Sequence, residues 1–153
     1  MTRTRRAGFT MIELLMVLVI LGLLAGLGLL KYIDLKATAR TTALAGDVRA
    51  IELAVLNYYA DFEAWPAEVG AGTVPTGLGS LLPGGLNVSL DRQFYVLDYQ
   101  NIDLGGTPLI GIAVTSTDAK LMSKFISTFS GRGPFYLYGG TLTYVISAPT
   151  GLP

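Results

Sequence analysis

One carboxylate, Glu13, lies inside an otherwise uncharged apolar segment that runs from Phe9 to Leu30. A carboxylate is costly to place in a membrane unless a positive group compensates its charge. Cutting the chain after Gly8 would create such a group, because the new α-amine of Phe9 falls four residues before Glu13 on the same helical face. The positive end of a helix dipole favours an anion there as well. Gly8, Phe9 and Glu13 are therefore the candidate functional residues.

The segment that carries these residues has the length and flanks of a membrane span. Residues 9–30 would extend roughly 33 Å as a helix, enough to cross a hydrocarbon core of about 30 Å. Arg3, Arg5 and Arg6 precede it, and positive charge on that flank predicts a cytoplasmic N-terminus. We therefore predict a single-pass membrane protein with its C-terminal part on the other side.

The run Gly8-Phe9-Thr10-Met11-Ile12-Glu13-Leu14-Leu15 resembles the cleavage and methylation segment of type IV pilins and type II secretion pseudopilins. The resemblance implies that residues 1–8 form a leader peptide, which a membrane prepilin peptidase removes by cutting between Gly8 and Phe9. It also implies methylation of the Phe9 amine. Glu13 would then form a salt bridge with the Phe9 amine of a neighbouring subunit and set the register of assembly.

Two simpler interpretations share the basic and then apolar order. A secretory signal peptide would be cut after the apolar region, where Ala25-Gly26-Leu27 is a weak candidate site. A plain single-span anchor leaves Glu13 unexplained. The family pattern is also incomplete, because many members carry Pro where this chain has Leu30. Three glycines precede that position, and we expect a helix that can loosen around residues 22–28 in a filament.

Residues 31–64 continue the helix as an amphipathic segment. Apolar residues recur at steps of three and four, which predicts one buried stripe against a sheet: Leu44, Val48, Ile51, Val55, Tyr58 or Tyr59, and Phe62. A further subunit contact on another face of this helix stays open. The helix should end near Ala64, since Pro66 disfavours helical geometry at Trp65. Residues 65–92 are rich in Gly and Pro and predict a linker or surface loop.

Residues 93–153 predict a β-rich C-terminal domain. The expected strands are Gln93–Tyr99, Leu109–Thr115, Pro134–Tyr138 and Thr141–Ser147, the last two joined by a hairpin turn at Gly139-Gly140. One short helix, Asp118–Phe129, should lie between them, with Ser116 or Thr117 as its N-cap. The predicted fold class is α+β, a long helix packed by its second half on a mostly antiparallel sheet of about four strands.

The remainder of the sequence offers little chemistry. The chain has no His and no Cys, and its aspartates are scattered. Ser123 and Lys124 point to different faces of the predicted helix, and the strand tyrosines are expected to pack in a core. Related major pseudopilins bind calcium near the C-terminus, but the last acidic residue here is Asp118, so that site is not carried over. We predict no enzyme activity, no cofactor and no metal.

Removal of the first eight residues would leave eight basic and eleven acidic residues, a net charge of −3. That balance disfavours nucleic acid as a partner. The sequence therefore predicts a structural subunit of a type IV pilus-like filament or a type II secretion pseudopilus in the bacterial inner membrane. Its expected partners are prepilin peptidase, other subunits, the inner-membrane assembly platform and lipid. The alternative is a minor tip pilin that acts as a binding module for adhesion, a secreted protein or DNA uptake.

Overall fold

The computed structural model describes residues 8–129, 135–138 and 141–148. The chain divides into an N-terminal unit, Met1–Ala37, and a compact unit, Thr38–Pro153. The long helix α1, Met11–Phe62, has residues in both units. The leader arginines and the predicted Gly139-Gly140 turn lie outside the described residues.

In the N-terminal unit, α1 is helical without a break from Met11 onward, including Gly22, Gly26 and Gly28. Every residue from position 8 to position 36 is exposed. By length and composition α1 could cross a membrane, and none of its most apolar window is buried. An uninterrupted run of exposed apolar side chains needs a partner other than water, which agrees with the predicted span.

In the compact unit, the predicted stripe of α1 is buried at Leu44, Val48, Ile51 and Val55. These side chains share one core with Leu97 and other sheet residues, as an amphipathic helix on a sheet should. The prediction was wrong at the end of the stripe, where Phe62 is 63% exposed. Phe62 is the last residue of the helix. Its ring packs at a tilt against the Tyr58 ring, with 4.6 Å between the two ring centroids.

The backbone conformation of Glu63 explains why α1 ends at Phe62. Glu63 follows the last helical residue with φ = 51°, and its N–H donates to the Tyr59 carbonyl at 2.8 Å. A residue in the left-handed conformation cannot continue a right-handed helix. The residue at this capping position is usually Gly or Asn. The predicted end near Ala64 is therefore correct to within two residues.

Among the described residues, the sheet contains four antiparallel strands in the order β1-β2-β4-β3. They are β1 Val96–Asp103, β2 Pro108–Thr115, β3 Phe135–Tyr138 and β4 Thr141–Ser147. The α+β class is confirmed. The first strand begins later than predicted because the preceding residues form a tight turn, in which Arg92 N donates to the Tyr95 carbonyl at 2.9 Å. It also runs farther, since its register with β2 continues to the pair Asp103–Pro108.

The short helix α2, Ala119–Phe129, follows β2 and buries Leu121 and Phe125. Its predicted N-cap was wrong by one or two residues. Asp118 caps the helix, because its Oδ1 accepts from the N–H groups of Lys120 at 3.1 Å and Leu121 at 3.2 Å. Ser116 supports the cap instead, by accepting from the Asp118 N–H at 3.1 Å. Asp caps a helix as well as Ser does, so the pattern alone did not separate them.

The segment 65–92 has no helix or strand, as predicted, but it is more than a linker. It contributes four buried leucines, Leu78, Leu82, Leu86 and Leu90. Their even spacing arises from successive turns rather than from a helix. Gly77 permits one of these turns with φ = 90°, and a Cβ at that position would lie 2.7 Å from the Tyr58 ring. The loop therefore completes the core beside α1.

A polar cluster also ties this loop to α1. Asp47 Oδ2 accepts from Arg92 Nε at 3.0 Å and from the Tyr95 hydroxyl at 2.8 Å. Burial raises the pKa of Tyr95 above its ordinary value, and the Asp47 carboxylate raises it further. The expectation that the tyrosines pack in a core is confirmed for Tyr95 and Tyr99, which are buried. The side chains of Tyr136 and Tyr138 lie outside what the structure describes.

Candidate functional site

The start of α1 has the geometry of a capping box. Thr10 precedes the first helical residue, Met11, and Glu13 lies in the first turn. Glu13 Oε2 accepts from the Thr10 backbone N–H and from the Thr10 hydroxyl, both at 3.0 Å. The Glu13 N–H donates in return to the Thr10 hydroxyl at 3.4 Å. This reciprocal pair satisfies backbone donors that a helix N-terminus otherwise leaves open.

The sequence interpretation missed Thr10. Its signal was the Thr-x-x-Glu spacing, which is a recognised start of a helix. The structure therefore gives Glu13 a local role that does not depend on another subunit. Both hydrogen bonds from Thr10 end on the same carboxylate oxygen, Oε2. The second oxygen, Oε1, accepts neither of these two hydrogen bonds and can accept one from a donor outside the helix.

The predicted cleavage residues lie immediately before this cap. Gly8 and Phe9 precede the helix and are exposed. A Cβ built on Gly8 would meet nothing within 4 Å among the described residues. The structure thus brings Thr10 and Glu13 together and leaves Gly8 and Phe9 accessible beside them.

The helix behind the cap presents large apolar side chains on all sides. Those from Met11 to Leu35 are between about half and almost fully exposed. A helix that is apolar all round is typical of a membrane span or of the centre of a larger assembly. The local physics therefore defines an anchoring segment with one carboxylate at its start.

The other polar residues considered from the sequence do not assemble into a site. Ser123 Oγ donates to the Lys120 carbonyl at 3.1 Å, whereas Lys124 Nζ donates to Thr38 Oγ1 at 3.0 Å. Asp103 Oδ1 accepts from the Gly106 N–H in the β1–β2 turn. Asp98 is half-buried on β1, and burial raises the pKa of its carboxyl. Ser123 and Lys124 therefore bond to different partners, and Asp103 closes a turn far from both in the sequence.

The described residues combine an exposed apolar helix that begins at a capping box with an α+β domain. Residues 3–29 match the family model of the prokaryotic N-terminal methylation motif. The chain is 39% identical over 67 residues to type II secretion system core protein G of Pseudomonas aeruginosa. It is 38% identical over 74 residues to the fimbrial protein EcpC of Eikenella corrodens.

These matches cover 44% and 46% of this chain, and 47% and 46% of the two relatives. The chain thus spans about half the length of the curated relatives that it matches. No solved structure matches it. The resemblance to the type IV pilin and pseudopilin family, inferred from the first thirty residues, is confirmed by the motif and by both relatives. Members of this family are structural subunits and not enzymes.

Proposed function

We propose that this chain is a structural subunit of a type IV pilus-like filament or a type II secretion pseudopilus. A prepilin peptidase cuts it between Gly8 and Phe9 on the cytoplasmic side of the bacterial inner membrane and methylates the Phe9 amine. Residues 9–30 then hold the subunit in lipid, with residues 31–153 outside the cytoplasm. An inner-membrane assembly platform transfers the subunit into a periplasmic or extracellular filament.

The observation that carries this proposal is the position of Glu13. It lies in the first turn of an exposed apolar helix, five residues after Gly8, within the segment that matches the methylation motif. A plain anchor needs no acidic residue there, and an ionisable residue within a membrane span normally has a partner and a function. In our proposal that partner is the Phe9 amine of the neighbouring subunit. The capping box with Thr10 fixes the Glu13 carboxylate at the helix start, which prepares it for a second, intermolecular partner.

The exposed apolar surface supplies the driving force for both stages of this function. In the membrane, lipid covers the side chains between Met11 and Leu30. In the filament, the same side chains contact other subunits, so that they stay out of water throughout the transfer. Close packing and the ion pair at Glu13 make the bundle specific, because lipid tails are as apolar as leucine side chains.

Mass spectrometry of the protein purified from its own membrane tests the processing step. We expect a chain that begins at Phe9 with one methyl group on its α-amine. A chain that still begins at Met1 in assembled material would contradict the proposal.

Two substitutions separate the charge of Glu13 from its capping role. Glu13→Gln keeps a capping-box residue and removes the charge, whereas Thr10→Ala removes the cap and keeps the charge. We expect Glu13→Gln to insert into the membrane normally but to lower incorporation into filaments at least tenfold, with a much smaller loss for Thr10→Ala. The measure is the subunit content of sheared filaments. The reverse ranking would show that Glu13 acts only as a helix cap.

Labelling tests the alternative of a minor tip subunit. Val88 is strongly exposed and the chain has no Cys, so Val88→Cys gives one site for a maleimide-linked gold label. A filament subunit predicts labels spaced along the fibre in electron micrographs. Labels at fibre ends alone would favour the tip-located binding module.

A further inference from the structure

Basic side chains of α2 lie beside the first residues of α1 in the compact unit. Lys124 Nζ donates to Thr38 Oγ1 at 3.0 Å. Lys120 precedes Lys124 by four residues, which puts both lysines on one side of α2. Lys120 is exposed, and Lys124 is half-buried. We call Lys120, Lys124 and Arg40 the basic end of the compact unit.

One carboxylate, that of Asp118, lies among these three residues. Arg40 Nη1 donates to Asp118 Oδ2 at 3.4 Å, and the Arg40 guanidinium lies over the Phe94 ring, 3.6 Å from its centroid. Arg40 and Asp118 therefore offset each other's charge. Three basic residues and one acidic residue leave the basic end with a net charge of +2.

The remainder of the compact unit is acidic. Residues 38–153 contain six basic and nine acidic residues, so that three basic and eight acidic residues remain outside the basic end and its Asp118, a net charge of −5. Asp61 and Glu63 are exposed, and Asp61 lies about 32 Å along α1 from Arg40. Among the described residues of the compact unit, the positive excess is thus confined to the basic end.

A short length of chain joins the basic end to the proposed membrane span. Eight residues lead from Leu30 to Thr38, which is about 12 Å as a helix and at most about 29 Å when fully extended. They include Lys31 and Lys36 against one acidic residue, Asp34, so this stretch is also positive. A tethered group meets the membrane surface at a high effective concentration, and a weak attraction is then enough to hold it there.

We infer that the basic end binds anionic phospholipid headgroups on the surface of the membrane that anchors the chain. Lysine ammonium groups attract phosphates as point charges, and each lysine near an anionic surface strengthens binding roughly fivefold. The same surface repels the acidic remainder of the compact unit, so the basic end is the part that faces the lipid. The inference rests on the proposed function, because it requires residues 9–30 to hold the chain in a membrane.

Quenching by labelled headgroups tests this contact in the full-length chain. The chain has no native Cys, and Ser123 is exposed on α2, so Ser123→Cys gives one site for a fluorescent label beside the two lysines. The chain is reconstituted in vesicles of phosphatidylcholine, or of phosphatidylcholine mixed with phosphatidylglycerol, each with a trace of lipid that carries a nitroxide on its headgroup. We expect about threefold stronger quenching in the vesicles that contain phosphatidylglycerol. Equal quenching in the two kinds of vesicle overturns the inference.

Two double variants separate the charge of the lysines from their packing. Lys120→Gln with Lys124→Gln removes both charges and should abolish the difference between the two lipid mixtures, whereas Lys120→Arg with Lys124→Arg should keep it. Arg49→Gln is the matched control, because Arg49 is an exposed basic residue outside the basic end, and it should leave the difference unchanged. A difference that persists in the Gln variant, or that disappears in both double variants, overturns the inference.

Flotation of the same vesicles distinguishes this failure from failure of the proposed function. A chain that floats with the vesicles but shows equal quenching in both lipid mixtures keeps its anchor and overturns the headgroup contact alone. A chain that does not float overturns the anchor and the contact together. A label at Val88→Cys, a strongly exposed position in the 65–92 loop, reports orientation, and quenching there as strong as at Ser123→Cys also overturns the inference.

Discussion

Helix α1 has two regions that differ in what covers them. From Met11 to Leu35 its large apolar side chains are exposed on all sides, whereas from Leu44 to Val55 one stripe is buried in the core of the compact unit. Both regions are regular helix, so helical geometry alone does not explain the contrast. The difference lies in the distribution of apolar residues, which surround the first region and form a stripe in the second.

This contrast shows that the two regions obtain their stability from different sources. The compact unit supplies its own cover through β1, β2, α2 and the leucines of the 65–92 loop. The first region obtains no such cover from the described residues of the N-terminal unit, and its side chains need lipid or other subunits. A substitution in α1 should therefore change the stability of the compact unit only when it falls in the second region.

The largest expected effect comes from making the same substitution in both regions. Leu44→Ala removes a fully buried side chain and should lower the free energy of unfolding by about 3 kcal/mol. Leu18→Ala changes an exposed position and should alter it by less than about 0.5 kcal/mol. Urea unfolding of the full chain in detergent, followed by the fluorescence of its one Trp, measures both. Similar losses for the two variants would contradict the division.

A smaller effect, of opposite sign at two sites, should follow Gly→Ala substitution. A Cβ on Gly111 would lie 2.7 Å from Thr143 Cγ2 and 3.1 Å from the Tyr144 carbonyl oxygen, so Gly111→Ala should destabilise the sheet by about 1–3 kcal/mol. Gly46 lies in a helix with open space around it, and Gly46→Ala should stabilise by about 0.5–1 kcal/mol. The same urea experiment measures both, and a loss at Gly46 would show that the helix is crowded there.

The smallest expected effect is a change in the free energy of unfolding with pH, which arises from Asp98 on β1. Burial raises the pKa of Asp98, the Gln100 hydrogen bond lowers it, and Glu68 raises it. Asp98 Oδ1 is buried without a hydrogen-bond partner among the residues that the structure describes. Asp98 therefore has a higher pKa in the folded chain than in the unfolded chain, where its pKa is about 3.9. Between these two pKa values the folded chain binds more protons at Asp98 than the unfolded chain does. The free energy of unfolding therefore rises as the pH falls through that interval.

Asp98→Asn removes this titration. At pH 7 the variant should be more stable by about 1 kcal/mol, because it avoids an unpaired buried charge. The gain should shrink as the pH falls towards the ordinary aspartate pKa. Unfolding curves at several pH values test this expectation, with Asp103→Asn at the exposed end of β1 as the matched control. A variant that is less stable than the original chain at pH 7 would show that the carboxylate has a compensating partner.

Much of the fold follows from local patterns in the sequence. The stripe from Leu44 to Val55 predicted the buried face of α1, because its spacing matches the helical repeat. The strands β2 and β4 were placed within one residue, since they are short apolar runs bounded by turns. Glu13 was predicted to be functional because a charge within an apolar run needs a compensating partner.

Other features depend on contacts between distant residues and could not be predicted in this way. The choice of Asp118 rather than Ser116 as a cap depends on where the chain leaves β2, and the start of β1 depends on the turn at Arg92. The role of the 65–92 loop was underestimated because its leucines are buried by packing and not by a periodic element. The Thr10–Glu13 capping box, by contrast, was visible in the sequence and was missed.

The sequence by itself determined the apolar segment from Phe9 to Leu30 with its single acidic residue, the order of helices and strands, and the resemblance to pilins and pseudopilins. All of these depend on residue types and spacings within short stretches of chain. Only the tertiary structure decided which loop leucines complete the core, which carboxylate is left half-buried on β1, and which lysine of α2 contacts Thr38 on α1. Those features join residues far apart in the chain, and packing in three dimensions brings them together.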